Sequence, residues 1–340
     1  MITNDSGYLR DLLDQPRALR DTIAALNVKP ALAALAARRF ERIVLTGMGS
    51  SLHALHPLNQ RLAAGGFCPV MVETSELLHG LRGLLTGETL LVAVSQSGRS
   101  AETVRLLEQE GPRPHTIGVT NTPDSPLALV PDAAVVTRAG AENSVACKTY
   151  LSILAALDWL GSVFCGDDLE AMLPELAQAS MLVDNYLTRW QDHVEELHSE
   201  LAGVEHVFLA GRGCSLATVG NGGLILKESA HVHAEGMSAP AFRHGPIDML
   251  RDDVFVLVFT GEPATAPLNV RLFDDIRNAG GRTALISETT AGAFRLPVGP
   301  ARLRPILEML PVQMMSLALA QLKDHEPGVF RHTSKVTTVE

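Results

Sequence analysis

The sequence predicts an α/β protein made of two copies of one parallel-sheet domain, and three features carry that prediction. The first is alternation: short apolar, partly β-branched runs are each followed by a helical pattern, the order expected of βαβ units. The second is internal repetition. Val207–Phe208–Leu209–Ala210 running into Gly211–Arg212–Gly213–Cys214–Ser215 parallels Ile43–Val44–Leu45–Thr46 running into Gly47–Met48–Gly49–Ser50–Ser51. Asp253–Phe259 likewise parallels Thr89–Val94, and Arg282–Ser287 parallels His115–Thr120, each about 165 residues downstream. The third is size, because 340 residues exceed one comfortable hydrophobic core.

Taken in order, residues 7–40 read as helices, with Leu9, Leu12 and Leu13 at helical spacing and Pro16 and Pro30 as punctuation. The first strand is Arg42–Thr46, followed by the Gly47–Ser51 turn and a helix to about Ala64. A strand at Val70–Glu73 and a short helix at Ser75–Leu81 come next, then strands at Leu90–Val94, His115–Thr120 and Ala133–Thr137. Ala146–Leu160 and Leu169–Leu201 are long helical patterns that link the halves. These readings divide the chain into an N-terminal helical segment (1–40), a first copy (41–168), linking helices (169–202), a second copy (203–325) and a tail (326–340).

Composition narrows the function. A hydrophobic share of 46% provides ample core, and a formal charge of −10 gives the wrong sign for general attraction to nucleic acid or an anionic membrane. Cys68, Cys147, Cys165 and Cys214 lie far apart without a CxxC pair, so neither a disulfide framework nor a zinc site is expected, and a reducing cytoplasm fits. Met1–Pro16 has no cationic start followed by an apolar core, and no apolar run is read as approaching membrane-spanning length.

One stretch carries chemistry. The apolar run Leu90–Val94 breaks abruptly into Ser95, Gln96, Ser97, Gly98, Arg99 and Ser100, and a helical pattern follows. Hydroxyl groups and unpaired backbone N–H donors at a helix start suit an anion, so this loop is expected to grip a phosphate. The second copy has Thr260, Gly261, Glu262 and Pro263 at the matching place. An acid and a residue without an N–H oppose an anion there, leaving one phosphate loop in the first copy.

With the duplication and both glycine turns established, the chain resembles the sugar isomerase (SIS) family, and more closely the isomerase half of the glutamine–fructose-6-phosphate amidotransferases. The resemblance runs from about Arg42 to Glu340. It rests on GMGSS (Gly47–Ser51), SQSGRS (Ser95–Ser100), AGAENSVA (Ala139–Ala146), VFLAGRG (Val207–Gly213), LKE (Leu226–Glu228), HAE (His233–Glu235), RHGP (Arg243–Pro246) and the terminal SKVTTVE. Each piece is modest alone, and their order together is specific. The resemblance implies two SIS domains, each a parallel-sheet α/β sandwich of flavodoxin-like or Rossmann-like type.

It also implies a site. Ser50, Ser51, Ser95, Gln96, Ser97 and Ser100 would hold the sugar phosphate, with Val145 from AGAENSVA as a further substrate contact. Charge-assisted hydrogen bonds of about 1.5–3 kcal/mol each make such an anchor substantial. Glu228 matches the family's enolising carboxylate, on a helix whose Leu224, Ile225 and Leu226 would partly desolvate it. His244 matches the ring-opening histidine, which the family contributes across a homodimer interface. Lys335 matches the family's terminal lysine, implying a tail folded over the site, where the lysine opens the ring, stabilises charge or forms a Schiff base. No cofactor or metal is implied.

The departures bear on the reaction. The chain begins Met1-Ile2 rather than with a cysteine nucleophile, so no glutaminase part is expected. Ile225 stands where the amidotransferases typically have a lysine, and Asn221 replaces an acid one turn earlier. Lys227 lies about 200° round the helix from Ile225, and VACKTY (Val145–Tyr150) is one residue shorter than the family pattern. Synthesis from glutamine is therefore disfavoured, and the first expectation is the reverse direction, glucosamine 6-phosphate to fructose 6-phosphate and ammonia. A fructosamine-6-phosphate deglycase or another phosphosugar isomerase is the alternative.

Two rivals differ in class. A nicotinamide dehydrogenase would use Gly47-x-Gly49 and Glu73, but Leu52 stands near the third glycine's place and the serine loop has no role. A non-catalytic sugar-phosphate sensor would not need Glu228, His244 and Lys335 together. His53 and His56 have metal-like spacing without a third ligand. His231 and His233 are read as straddling a helix, and Cys147 and Cys214 as small buried residues.

Overall fold

The computed structural model describes residues 6–108, 113–332 and 334–336. The chain divides into two compact units, and neither is continuous in sequence. One comprises the described parts of Arg17–Glu142, Lys148–Ala177 and His332–Glu340, and the other those of Met1–Pro16, Asn143–Cys147 and Gln178–Arg331.

The first of these units is built on a sheet of β1 (Arg42–Gly47), β2 (Pro69–Glu73), β3 (Thr89–Val94), β4 (His115–Thr120) and β5 (Ala133–Val136). Its order is β2-β1-β3-β4-β5 and every pairing is parallel. This is the flavodoxin-like arrangement, in which the chain winds outward in both directions from a switch point between β1 and β3. The apolar runs recognised in the sequence are these strands, and β3 is buried at all six positions, as a central strand covered on both faces must be. Val44, Leu91 and Ala93 face a cluster with Leu77, Leu78, Leu106 and Leu127 from three short helices. Ile43 and Leu45 alternate to the opposite face, where the helices Leu55–Ala64 and Lys148–Cys165 pack on one another. Each such leucine is worth about 1.5–3 kcal/mol of burial.

The second unit repeats the order with one strand fewer. β6 (His206–Gly211), β7 (His233–Ser238), β8 (Val254–Phe259) and β9 (Arg282–Ile286) run β7-β6-β8-β9, again all parallel. Phe208, Ala210, Val254, Val256 and Val258 pack against Phe242, Leu272 and Ile276 on one face. The helices Leu216–Ala230 and Arg304–Leu322 pack together elsewhere in this unit. The duplication is thus a repeat of strand order as well as of sequence.

Several expectations need correction. His231 and His233 do not straddle a helix: His231 caps the helix Leu216–Ala230 in the left-handed conformation (φ 49°), and His233 opens β7. The strand escaped notice because HAEGMS is an edge strand with no apolar run, its burial broken by exposed His233 and Glu235. The Leu169–Leu201 pattern is two helices, Leu169–Leu187 and Trp190–Leu201. Cys214 is half-buried rather than buried. Finally, one segment among the described residues, Ala301–Leu322, is long and apolar enough to cross a membrane, and 89% of its most apolar window is buried inside the protein.

Candidate active site

The carboxyl ends of β1 and β3 flank the switch point of the first sheet, the place where open α/β sheets leave a crevice for ligands. Both hydroxyl-bearing turns identified in the sequence emerge there. After β1, Gly49 (φ 50°) leads into Ser50, half-buried, and Ser51, whose N–H donates to the Met48 carbonyl at 3.0 Å. After β3, Ser95 keeps its N–H on the Val119 carbonyl (3.0 Å), while its hydroxyl accepts from the Gly98 N–H at 3.2 Å. The Ser97 hydroxyl accepts from the Arg99 N–H (3.2 Å), and the Ser100 and Thr103 hydroxyls lie 2.7 Å apart.

The loop is stiff. The Gln96 carbonyl accepts from the Asn121 N–H (3.0 Å) and the Thr120 hydroxyl (3.2 Å). Gly98 has φ 61°, and a Cβ there would collide with the Ser125 side chain and approach Thr120 Oγ1 to 2.9 Å, so glycine is required on both counts. Arg99 points its charge at Asp124, 3.1 Å away. The following helix, Ala101–Leu107, is only two turns long, so its dipole is small. Hydroxyls and loop amides, rather than a macrodipole, are the donors available to an anion.

The second sheet has the same switch point with opposite chemistry. Thr260 leaves β8 with its N–H on the Ile286 carbonyl (3.0 Å), as Ser95 leaves β3. Ser215, the counterpart of Ser51, donates its hydroxyl to Glu308 at 2.8 Å. Glu308 is fully buried, and burial pushes its carboxyl up to about 7, opposed by the Ser215 hydroxyl, Arg304 and Thr218 and reinforced by Glu262. An internal carboxyl therefore lies under the turn that holds free hydroxyl-bearing residues in the first copy.

The remaining expected residues are placed as follows. Glu228 is half-buried on the helix Leu216–Ala230, with Asn221 and Ile225 fully buried on that helix and Lys227 exposed. His244 is exposed and ends the helix Ala239–Arg243. Val145 is fully buried, backbone as well as side chain, and presents no surface to a ligand. These three belong to the unit of the second sheet. Lys335 belongs with the serine loop's unit, where its ammonium donates to Glu142 Oε2 at 2.6 Å. The rest of the terminal motif, from Thr337, lies outside the described residues.

Glu142 is the residue that reading the sequence missed. It sat inside the AGAENSVA piece, but nothing local separates it from a loop acid; its partner is 193 residues away. His53 and His56 stack with ring centroids 6.4 Å apart, and burial lowers the His56 pKa. No cluster of three or more metal-ligating side chains occurs among the described residues.

The SIS domain family model matches residues 37–162 and again 200–322. The chain is 32% identical to glutamine–fructose-6-phosphate aminotransferase [isomerizing] of Pyrococcus horikoshii, an alignment covering 98% of this chain and 57% of that protein. The Thermococcus kodakarensis protein of the same name is 30% identical, with coverages of 98% and 58%. The chain thus spans a little over half the length of these curated relatives. Among solved structures, the C-terminal domain of glucosamine-fructose-6-phosphate aminotransferase from Francisella tularensis superposes with a TM-score of 0.84 at 21% identity, covering 96% of this chain and 98% of that one. Glucosamine-6-phosphate deaminase from Thermotoga maritima gives 0.78 at 17% identity, covering 98% and 100%. At those identities the likeness is one of fold. The two family matches, falling on the two sheets already described, place the chain in the SIS domain family with two copies of the domain.

Proposed function

We propose that the chain is a phosphosugar aldose–ketose isomerase that acts as a deaminase, converting glucosamine 6-phosphate and water to fructose 6-phosphate and ammonia. The observation that carries this reading is the asymmetry of the two switch points. One presents the Ser50–Ser51 and Ser95–Ser100 hydroxyls, and the other is occupied by the Glu308 carboxyl. One phosphate-bearing substrate per chain fits that division.

In this reading the serine loop fixes the phosphate end of the sugar, leaving C1 and C2 to be worked on by other groups. His244 transfers the proton that opens the ring and is supplied by a neighbouring subunit of a homodimer. Glu228 then takes the proton from C2 of the open-chain amino aldose and returns it to C1. The C1 carbonyl becomes a hydroxymethyl group and C2 becomes an imine, with Lys335 stabilising the enediol-like charge between the two transfers. Water adds to the imine carbon, ammonia leaves, and the C2 ketone of fructose 6-phosphate remains. No redox step and no further reactant is needed. The buried, uncharged Ile225 and Asn221 on the Glu228 helix support deamination over synthesis, since a lysine and an acid stand there in the amidotransferases.

The purified protein incubated with glucosamine 6-phosphate is expected to release ammonia and fructose 6-phosphate in equal amounts, and the Glu228→Gln variant neither. Release of amine from a fructosamine phosphate but not from glucosamine 6-phosphate would make it a deglycase instead. Tight binding of phosphosugars without turnover of any would make it a sensor.

A further inference from the structure

Lys335 is a flexible lysine on a polar tail, and the proposed chemistry needs its ammonium at a defined place. Glu142 supplies one. Its side chain has no exposed surface, whereas that of Lys335 is 21% exposed. Glu142 Oε1 accepts from the Thr149 N–H at 3.0 Å, and Oε2 accepts from the Thr149 hydroxyl and from Lys335 Nζ, both at 2.6 Å. The carboxylate is thus fixed by the first turn of the helix Lys148–Cys165 independently of the lysine it receives.

The loop carrying Glu142 is tied to the carboxyl edge of the first sheet. Asn121, the residue after β4, accepts from the Ala139 N–H (3.0 Å) and the Thr137 hydroxyl (2.9 Å), and its Nδ2 donates to the Gly140 carbonyl (2.9 Å). The Asn121 N–H donates in turn to the Gln96 carbonyl of the serine loop at 3.0 Å. A continuous run of hydrogen bonds therefore leads from the phosphate-holding loop to the segment that ends in Glu142. Glu142 lies two residues beyond Gly140, the last residue tied to Asn121 in this run.

We propose that Glu142 is the positioning residue for Lys335, holding its ammonium at that edge for reaction on a sugar whose phosphate lies in the serine loop. The inference rests on the proposed function, in which Lys335 acts on the substrate. It assigns to Glu142 no contact with the sugar.

The test uses the full chain with glucosamine 6-phosphate. Glu142→Gln keeps the side-chain size and a means of meeting Thr149 but removes the charge that holds Lys335. It is expected to lower kcat by about 100-fold, since misplaced catalytic groups cost on that order, with KM changed by less than about threefold. Amide hydrogen exchange in the peptide covering His332–Val336 should quicken, and Glu142→Asp should recover part of kcat. A merely structural Glu142 would lower the melting temperature without this kcat-specific loss. Wild-type kcat in Glu142→Gln alongside an inactive Lys335→Met overturns the positioning role and leaves the proposed function standing. Full activity in Lys335→Met overturns the role of Lys335 itself, and this inference with it. If Glu142→Gln does not fold, Lys335→Met still decides: unchanged exchange of the His332–Val336 peptide in that variant overturns the contact.

Discussion

Glu308 shows what a single residue does to the energetics of the second copy. Its carboxyl titrates at about 7 in the fold, against an ordinary value of 4.5, because burial disfavours the charged form more than Ser215, Arg304 and Thr218 favour it. The folded state therefore holds a proton that the unfolded chain has lost. Its contribution is intact below pH 4.5, declines as pH rises through the interval to about 7, and is gone above it. The interval corresponds to about 3 kcal/mol. Glu308→Gln, neutral at every pH, is expected to raise the urea midpoint at pH 8 and to leave it nearly unchanged at pH 4.5. Equal shifts at both values would show that the carboxyl does not titrate between them. Nothing in LEMLPVQMM marks this acid, since a helix pattern accommodates a glutamate anywhere on its polar face. The serine loop stands out in the sequence for the converse reason: an apolar strand stops dead in Ser95, Gln96, Ser97, Gly98, Arg99 and Ser100, five polar residues and a glycine.

Strands were legible wherever they carry an apolar run, whether fully buried like β3 or only half-buried like β2 and β9. The central strands β1, β3, β6 and β8 announce themselves as continuous apolar runs, and observed ends fall within a residue of those read from sequence. The edge strand β7 has no such signature, and its determinant is a close approach that no pattern reports. A Cβ on Gly236 would collide with the Val219 carbonyl, and one on Gly223 would come within 2.7 Å of the Gly236 nitrogen. Helix Leu216–Ala230 thus lies backbone to backbone on β7, and it is the helix that carries Glu228. Gly236→Ala should cost about 3 kcal/mol, at the upper end for overpacking because the obstacle is main chain that cannot rotate away. The expected readout is a lowered denaturation midpoint, with a kcat reduced by displacement of Glu228. Unchanged stability would mean that β7 can shift outward freely.

At the scale of the whole molecule, the two copies share one switch-point geometry, and in the function proposed above only the first keeps anion-holding chemistry. The family and the alternation of strands with helices could be read because repetition displays each twice, whereas the order of the strands across each sheet came only with the structure. The division into units could not, because it depends on which distant segments pack together: 143–147 and 148–177 adjoin in sequence yet fall in different units. The homodimer proposed above, with His244 crossing to the neighbouring subunit, makes a further prediction. Glu228→Gln and His244→Gln, each inactive alone, should regain up to about a quarter of wild-type activity when dissociated and reassociated together, because half the dimers formed are mixed and each mixed dimer has one intact site. No recovery would place both residues in one subunit's site. The long reach of the Glu142–Lys335 pair also sets a timetable. Glu142 leaves the ribosome 193 residues before its counter-ion, an interval of roughly 10–40 s at ordinary rates of synthesis. Throughout it the nascent chain carries the serine loop without Lys335, so under the proposed function a prematurely terminated product is expected to bind phosphosugar without turning it over.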